Sequence, residues 1–386
     1  MFTSGNLGVG ELGSIFDEIP NIYKNREILS HKFVPEELPH REGEIRELAS
    51  YLKHALQNST PPNILVVGHT GTGKTVTVKK VLQELSKVTD SVDIAYVVAS
   101  GTQFQILSEI AAELNPEISF KGLSFKESWN RFRNMLNKDK ITIVVLDEID
   151  KMLSYGSDLL YFLSREDRVC IISISNKINV MNMITDKRVL SSFNPVKIVF
   201  PKYNASQLED ILRYRAERAF YEDVLDDDVI PLCAALAMNR EGDARYALDL
   251  LMYAGDEAIR RMDSKVTVDH VKAARKRLEE DFIRQSIQTL SLAQKLLLLS
   301  VLKREGSSPR EIYSLCNEYL EKYNGSKLTH RRLSSLLGDL ELYGFVVYVR
   351  KGMGRGKGAR WSVYLNDTVD RQLIMEFLKE SLEREF

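Results

Sequence analysis

The sequence predicts a parallel α/β nucleotide-binding core, a helical lid and a C-terminal winged-helix domain. Three stretches carry that expectation. Ile64 to Thr75 is an apolar run leading into Gly68-His69-Thr70-Gly71-Thr72-Gly73-Lys74-Thr75, which fits the phosphate-loop spacing G-x-x-x-x-G-K-[ST]. Ile141 to Asp150 is a second apolar strand, ending in the acid pair Asp147-Glu148. Beyond residue 289, three amphipathic helices precede two alternating strands joined by the basic, glycine-rich tip Arg350 to Ala359.

The phosphate loop is the most specific of these. Its glycines let successive backbone N–H groups curl around a polyphosphate, and the helix through Val76 and Val88 points its positive end at the anion. Lys74 would reach the β- and γ-phosphates, and Thr75 would offer its hydroxyl to Mg²⁺. In an open α/β sheet the strand ending at Asp147 delivers its acids beside that loop. Asp147 would then hold the Mg²⁺ shell and Glu148 would polarise the attacking water. ATP or ADP with Mg²⁺ is the expected cofactor.

Composition bounds the alternatives. A chain of 386 residues suggests two or three domains, and 44% hydrophobic with 28% charged residues describes an ordinary globular protein. No apolar run approaches the ~20 residues that span a bilayer, and the first residues do not read as a leader. The expectation is a protein that stays in the cytosol, with no membrane partner. Cys170, Cys233 and Cys316 are too scattered for a disulfide framework or a zinc site. Net charge is −1, but from Lys327 to Arg360 eight cations face two carboxylates.

Taken in order, residues 1–30 read as an N-terminal arm with a short helix at most. Residues 31–203 read as the nucleotide core and open on Phe33-Val-Pro-Glu-Glu-Leu-Pro-His-Arg-Glu before a helix. There the two prolines, Pro35 and Pro39, and Arg41 could border the base or simply form a rigid capped loop. Val92 to Ala99 is the next strand, followed by a helix carrying Phe104, Leu107, Ile110 and Leu114. Residues 115–138 read as an insertion with exposed aromatic and basic residues, Lys121 and Lys126 among them, either a partner surface or a solvated helix pair. Val169 to Ser175 is another strand, and Asn176 at its end could report the γ-phosphate or serve as a turn residue. Val196 to Phe200 completes the sheet.

Residues 204–285 are helical by pattern and form the lid. Within them Gly242-Asp243-Ala244-Arg245 opens a helix, from which Arg245 could swing onto the γ-phosphate or remain a surface charge. Residues 286–386 form the winged helix. Its third helix begins Thr329-His330-Arg331-Arg332, and its hairpin carries Arg350, Lys351, Arg355, Lys357 and Arg360, so both elements present cations to DNA. Winged helices also serve protein contacts.

These motifs, in this order, resemble an AAA+ ATPase of the initiator clade, and more narrowly the archaeal origin-recognition-complex subunit 1 / cell-division-cycle 6 initiators. The likeness extends over nearly the whole chain and includes Val34-Pro-Glu-Glu-Leu-Pro-His-Arg-Glu, Arg188-Val-Leu-Ser-Ser-Phe, Gly242-Asp-Ala-Arg and Leu290-Ser-Leu-Ala-Gln-Lys-Leu-Leu-Leu-Leu. It implies an AAA+ P-loop ATPase core with helical lid and winged helix, in which Asn176 and Arg245 are the two nucleotide sensors and the Pro39-His40-Arg41 region contacts the adenine. Arg188 is implied as the finger that completes a neighbour's site, although some relatives carry a second Arg where this chain has Ser192. The resemblance further implies slow hydrolysis, binding of double-stranded origin DNA through the winged helix and the insertion, and help in recruiting the MCM helicase. A paralogous initiator on adjacent DNA and a nucleoid-associated location are implied as well. Two other functions fit the same residues: a DNA-binding negative regulator without helicase loading, and a signalling P-loop ATPase whose winged helix contacts protein.

Overall fold

The computed structural model describes residues 19–323, 325–352, 359–367 and 369–384. The chain divides into two compact units, Met1–Ala274 and Arg275–Phe386.

The first unit is built on five parallel strands, β1 (Ile64–Gly68), β2 (Val92–Val98), β3 (Ile141–Asp147), β4 (Val169–Ser175) and β5 (Val196–Phe200), in the order β2-β3-β4-β1-β5. β3 and β4 are buried along their whole length, as near-continuous apolar runs require in a sheet covered on both faces. Alternation assigns the two faces. Leu65, Val67, Val144 and Leu146 pack on one side, together with Ile106, Ile110 and Phe132. Ile64, Val66, Ile143 and Val145 pack on the other, with Leu48, Leu52, Val78 and Leu82 from α1 (Glu42–Leu56) and α2 (Lys74–Val88). The chain leaves β1 and must cross β4 and β3 to form β2. That reversal opens a crevice at the carboxyl ends of β1, β4 and β3, where ligands of open α/β sheets sit.

The insertion departs from expectation. α3 (Gln103–Leu114) and α4 (Phe125–Met135) are joined through Phe120, and Phe120, Trp129 and Phe132 are buried in the core. Trp129 packs its ring 5.2 Å from Phe162. The expectation of exposed aromatics there is corrected: they anchor the segment to the sheet, while Lys121 and Lys126 lie at the surface. Short helices α5 (Ile149–Leu153), α6 (Asp158–Leu163) and α7 (Lys187–Phe193) complete that face.

Helices α8 (Ala205–Ala219), α9 (Val229–Met238) and α10 (Ala244–Arg260) form the lid. Residues 1–18 of the expected arm lie outside the described residues, but the rest of the arm is bound to the lid. Tyr23 Oη donates to Met252 O at 2.6 Å and Arg26 pairs with Asp256 at 2.6 Å. α11 (Val268–Thr289) runs on into the second unit, so the junction expected after residue 285 falls inside a helix, because Ile283 and Ile287 pack in the second core.

That core is formed by α12 (Leu292–Lys303), α13 (Pro309–Lys322), α14 (His330–Leu342) and the antiparallel pair β6 (Val346–Gly352) and β7 (Ala359–Leu365). A further helix, α15 (Arg371–Glu383), was not foreseen and buries Ile374, Phe377 and Leu378 in the same cluster. Among the described residues no helix is long and apolar enough to cross a membrane.

Candidate functional site

A cleft of about 560 Å³ lies where the crevice meets the lid. Because β4 separates β1 from β3, the first residue beyond β4, Asn176, emerges between the phosphate loop and Asp147, and all three reach the cleft. From the loop itself, Gly71, Gly73, Thr75 and Val76 face the cavity. Thr72 and Lys74 are buried beneath it, Gly68 lies in the strand at its foot, and Thr70 is exposed. Gly73 begins α2 with φ 85°, a left-handed conformation that suits glycine and aims the first turn's N–H groups at the cleft.

Asp147 is the polar centre. Its Oδ2 accepts from Thr75 Oγ1 at 2.9 Å and from Tyr96 Oη at 2.5 Å, and its Oδ1 accepts from the Glu148 N–H at 2.9 Å. Burial, then the Asp147 charge, pushes the Tyr96 phenol well above its ordinary range, so Tyr96 is a fixed donor. A hydroxyl and a carboxylate brought together in this way suit Mg²⁺, a hard cation that takes oxygen ligands. Thr75 and Asp147 would hold it. Glu148 has φ 58°, lines the cleft, and pairs with Lys151 at 2.5 Å. The Lys74 ammonium donates to Gly68 O and His69 O at 2.8 and 2.6 Å. Burial, then the nearby Arg245 charge, lowers its pKa to about 8.

The loop is fixed from behind. Arg41 is 2% exposed and donates to Thr72 O at 2.9 Å and to Pro201 O at 2.8 Å, with its guanidinium 3.8 Å over the Tyr203 ring. Its side chain is therefore spent on the protein's own backbone and does not line the cleft. His40 points to Asp210 at 2.8 Å. Of Pro39, His40 and Arg41, Pro39 alone lines the cavity, beside Phe33, Pro35, Ile211, Tyr214 and Leu248. Pro35 is the other proline expected near the base, whereas Ile211, Tyr214 and Leu248 were passed over, because residues at helical spacing read equally well as core.

The lid closes the other side. Arg245 faces the cleft from the first turn of α10, whose cap Asp243 accepts from the Arg245 and Tyr246 N–H groups. His69 pairs with Glu241 at 3.2 Å. Arg188 lies elsewhere: exposed, paired with Asp186 at 2.7 Å, and with Ser192 nearby hydrogen-bonded to Ser164 at 3.0 Å.

In the second unit Thr329 caps α14, accepting from the Arg332 N–H, and His330, Arg331 and Arg332 are exposed along its start. Arg350 is exposed on β6. Arg355 and Lys357 lie outside the described residues. Lys351 and Arg360 pair across the hairpin by backbone, and their side chains are likewise outside the description.

Known proteins match along the chain. Residues 37–172 match the family description AAA ATPase domain, residues 209–276 the Cdc6 AAA+ ATPase-type lid domain, and residues 285–371 the CDC6 C terminal winged helix domain. An ORC1-type DNA replication protein from Methanothermobacter thermautotrophicus is 46% identical over 370 residues, covering 95% of this chain and 100% of that one. One from Thermococcus kodakarensis is 41% identical over 381 residues, covering 91% and 92%. The structure of the Aeropyrum pernix ORC1 protein in complex with DNA aligns with TM-score 0.86 at 38% identity, covering 95% of this chain and 99% of that one.

Proposed function

The chain belongs to the ORC1-type family of DNA replication proteins, built on an AAA ATPase domain, and we propose that it is an ATP-controlled initiator that binds double-stranded DNA at replication origins. Asp147 and Thr75 hold Mg²⁺, Lys74 and the loop N–H groups hold the β- and γ-phosphates, and Glu148 orients water for slow hydrolysis. Asn176 and Arg245 read the γ-phosphate, one from the sheet and one from the lid, so that nucleotide state sets lid position. Hydrolysis then acts as a switch rather than an engine. Arg188 is the residue offered to a neighbouring copy or paralogue, and recruitment of the MCM helicase is the output.

The observation that carries this reading is the convergence of Thr75, Asp147, Glu148, Asn176 and Arg245 on one cleft, in a chain whose second unit is a winged helix with exposed cations on its third helix. Lys121, Lys126, Thr329, His330, Arg331, Arg332 and the hairpin cations Arg350, Lys351, Arg355, Lys357 and Arg360 are assigned to DNA. That the Aeropyrum relative was solved in complex with DNA supports DNA binding as such. Neutralising about six phosphates gives a slope near −5 for the logarithm of affinity against the logarithm of salt concentration. A slope near zero in a titration of origin duplex would remove direct DNA binding from the proposal.

A further inference from the structure

Within the first unit, α1 and α2 leave between them a groove of about 870 Å³, lined by Ile45, Ala49 and Leu56 on one side and Val81, Leu85 and Val88 on the other. Leu56 is 45% and Val88 70% exposed. A helix pair that packs Leu48 and Leu82 into the core and turns Ile45, Leu56 and Val88 into a groove has a second apolar face in need of cover. At the amino-terminal end of α1 the groove meets the strap Glu37-Leu38-Pro39, and these same residues line the nucleotide cleft. An occupant of the groove therefore bears on the back of the cleft's wall.

The sequence holds a segment that fits. Residues 1–18 lie outside the described residues, but their sequence carries Leu12, Ile15 and Phe16, and with Ile19 these have the i, i+3, i+4, i+7 spacing of one helical stripe. Gly13 and the shortness of the stretch deny it a stable helix alone, so it needs a surface to fold against. Charge sets the pairing. From Met1 to Tyr23 there is no Lys or Arg, and Glu11 and Glu18 stand seven residues apart on one flank of the stripe, about 10 Å along a helix. Arg46 and Lys53 stand seven apart on α1, both exposed and both lining the groove, so the two spacings match. On the opposite wall Lys80 is paired with Glu84 at 2.9 Å, and Glu36, Glu37 and Glu42 gather at the strap, which leaves Arg46 and Lys53 as the place for acids. Reach permits the contact. The arm is held to α8 where the Lys24 N–H donates to Ala219 O at 2.8 Å, and the strap is held to the same helix where the Glu37 N–H donates to Tyr214 Oη at 3.0 Å. Along α8 those anchors are about 7–8 Å apart, whereas residues 11–18 span up to about 26 Å when extended. Entry from the strap end places Glu18 beside Arg46 and Glu11 beside Lys53.

We propose that residues 11–19 dock in this groove as an amphipathic helix antiparallel to α1, with Leu12, Ile15 and Phe16 on its apolar floor, and that the docked segment steadies the strap behind the nucleotide. The docking stands independently of the nucleotide reading of the cleft, whereas its effect on affinity rests on that reading. A second copy of the chain, or a helix of another protein, is the competing occupant.

The test uses the full chain with one cysteine added on each side, the native Cys170, Cys233 and Cys316 being buried. Glu18→Cys/Arg46→Cys and Glu11→Cys/Lys53→Cys, oxidised in dilute solution, each close an intramolecular disulfide, whereas the crossed pair Glu11→Cys/Arg46→Cys closes several-fold less. Crosslinked dimers in place of monomers give the groove to a second copy, and no disulfide in either matched pair leaves it to another protein; each result overturns the proposal. Equal yields in matched and crossed pairs overturn it too, because only a loose tail meets both positions alike. In the chain without added cysteines, Leu12→Asp/Phe16→Asp lowers ADP affinity about fivefold by calorimetry, the lower end for coupling between separate sites. Unchanged affinity overturns the effect on the strap. A chain that closes the matched disulfides but binds no ADP keeps the docking and loses the nucleotide reading instead.

Discussion

Gly71 of the phosphate loop and Asp243 of the lid touch so closely that a Cβ added to Gly71 would fall 1.9 Å from Asp243 Oδ1. Beside this contact the Ala244 N–H donates to Gly71 O at 3.3 Å. The loop that holds phosphate and the helix that presents Arg245 are thereby keyed to each other through one residue without a side chain.

Gly71→Ala tests that key. Gly71 has φ 72°, which alone costs a side chain about 1 kcal/mol, and the collision with Asp243 is added to it. The expected result is nucleotide affinity lowered about tenfold or more by calorimetry, with the variant's lid more open to limited proteolysis. Trimming the obstacle in Gly71→Ala/Asp243→Ser restores part of the affinity. Wild-type affinity in the single variant would show that lid and loop are not coupled here.

Tyr96 should tune the metal. Its phenol stands 2.5 Å from Asp147 Oδ2 and holds the carboxylate where it would meet Mg²⁺. Tyr96→Phe keeps the ring, over which Lys79 lies at 4.6 Å, and deletes the donor alone. Magnesium-dependent nucleotide affinity falls about tenfold, the lower end for loss of a ligand-orienting hydrogen bond. Affinity measured in EDTA is unchanged. An equal loss with and without Mg²⁺ would mean that the variant merely loosens the strand.

How much of the molecule was legible in the sequence depends on how local each signal is. The phosphate loop and the β3 acids could be read because their chemistry lies in consecutive residues, and their meeting follows from strand order alone. Tyr96 escaped notice because its role depends on β2 lying beside β3, a pairing that places Val98 opposite Asp147. The Gly71–Asp243 contact spans loop and lid in the same way. The aromatics of the insertion misled because Trp129 and Phe132 flanked by charges read as a surface, whereas the sheet supplies them with a core. α15 was missed for a different reason. Its cap, Asp370, and its apolar residues Ile374, Phe377, Leu378 and Leu382 are an ordinary helix signal, overlooked next to a hairpin that already completed the expected fold.

Glu148 separates binding from turnover. Its side chain lines the cleft but its nearest charged partner is Lys151, not a phosphate-loop residue. In the proposed role, Glu148→Gln removes the base and keeps the shape, so ATP and ADP affinities are expected to stay within about twofold while kcat drops by about 10² or more. DNA affinity in ATP should then hold steady over hours in the variant and decay in the native protein as ATP is consumed. Decay at the same rate in both would sink the switch and leave hydrolysis unconnected to DNA.

Lys74 gives the pH dependence. Burial, then the Arg245 charge, holds its pKa near 8 instead of 10.5. Between those two values the folded chain binds fewer protons than the unfolded chain, so without nucleotide the stability contributed by this group rises with pH and is lost as pH falls through about 8. Nucleotide binding runs the other way. A polyphosphate favours the ammonium, so above pH 8 binding must first protonate Lys74, and affinity falls by up to tenfold per pH unit while the bound form stays charged. Thermal unfolding across that range should therefore show a midpoint that climbs without ADP, and an ADP-induced increment that shrinks. Lys74→Met abolishes both slopes. A nucleotide increment that stays constant from about pH 8 to 10 would mean that the ammonium is not the group meeting phosphate, whatever the loop's spacing suggests.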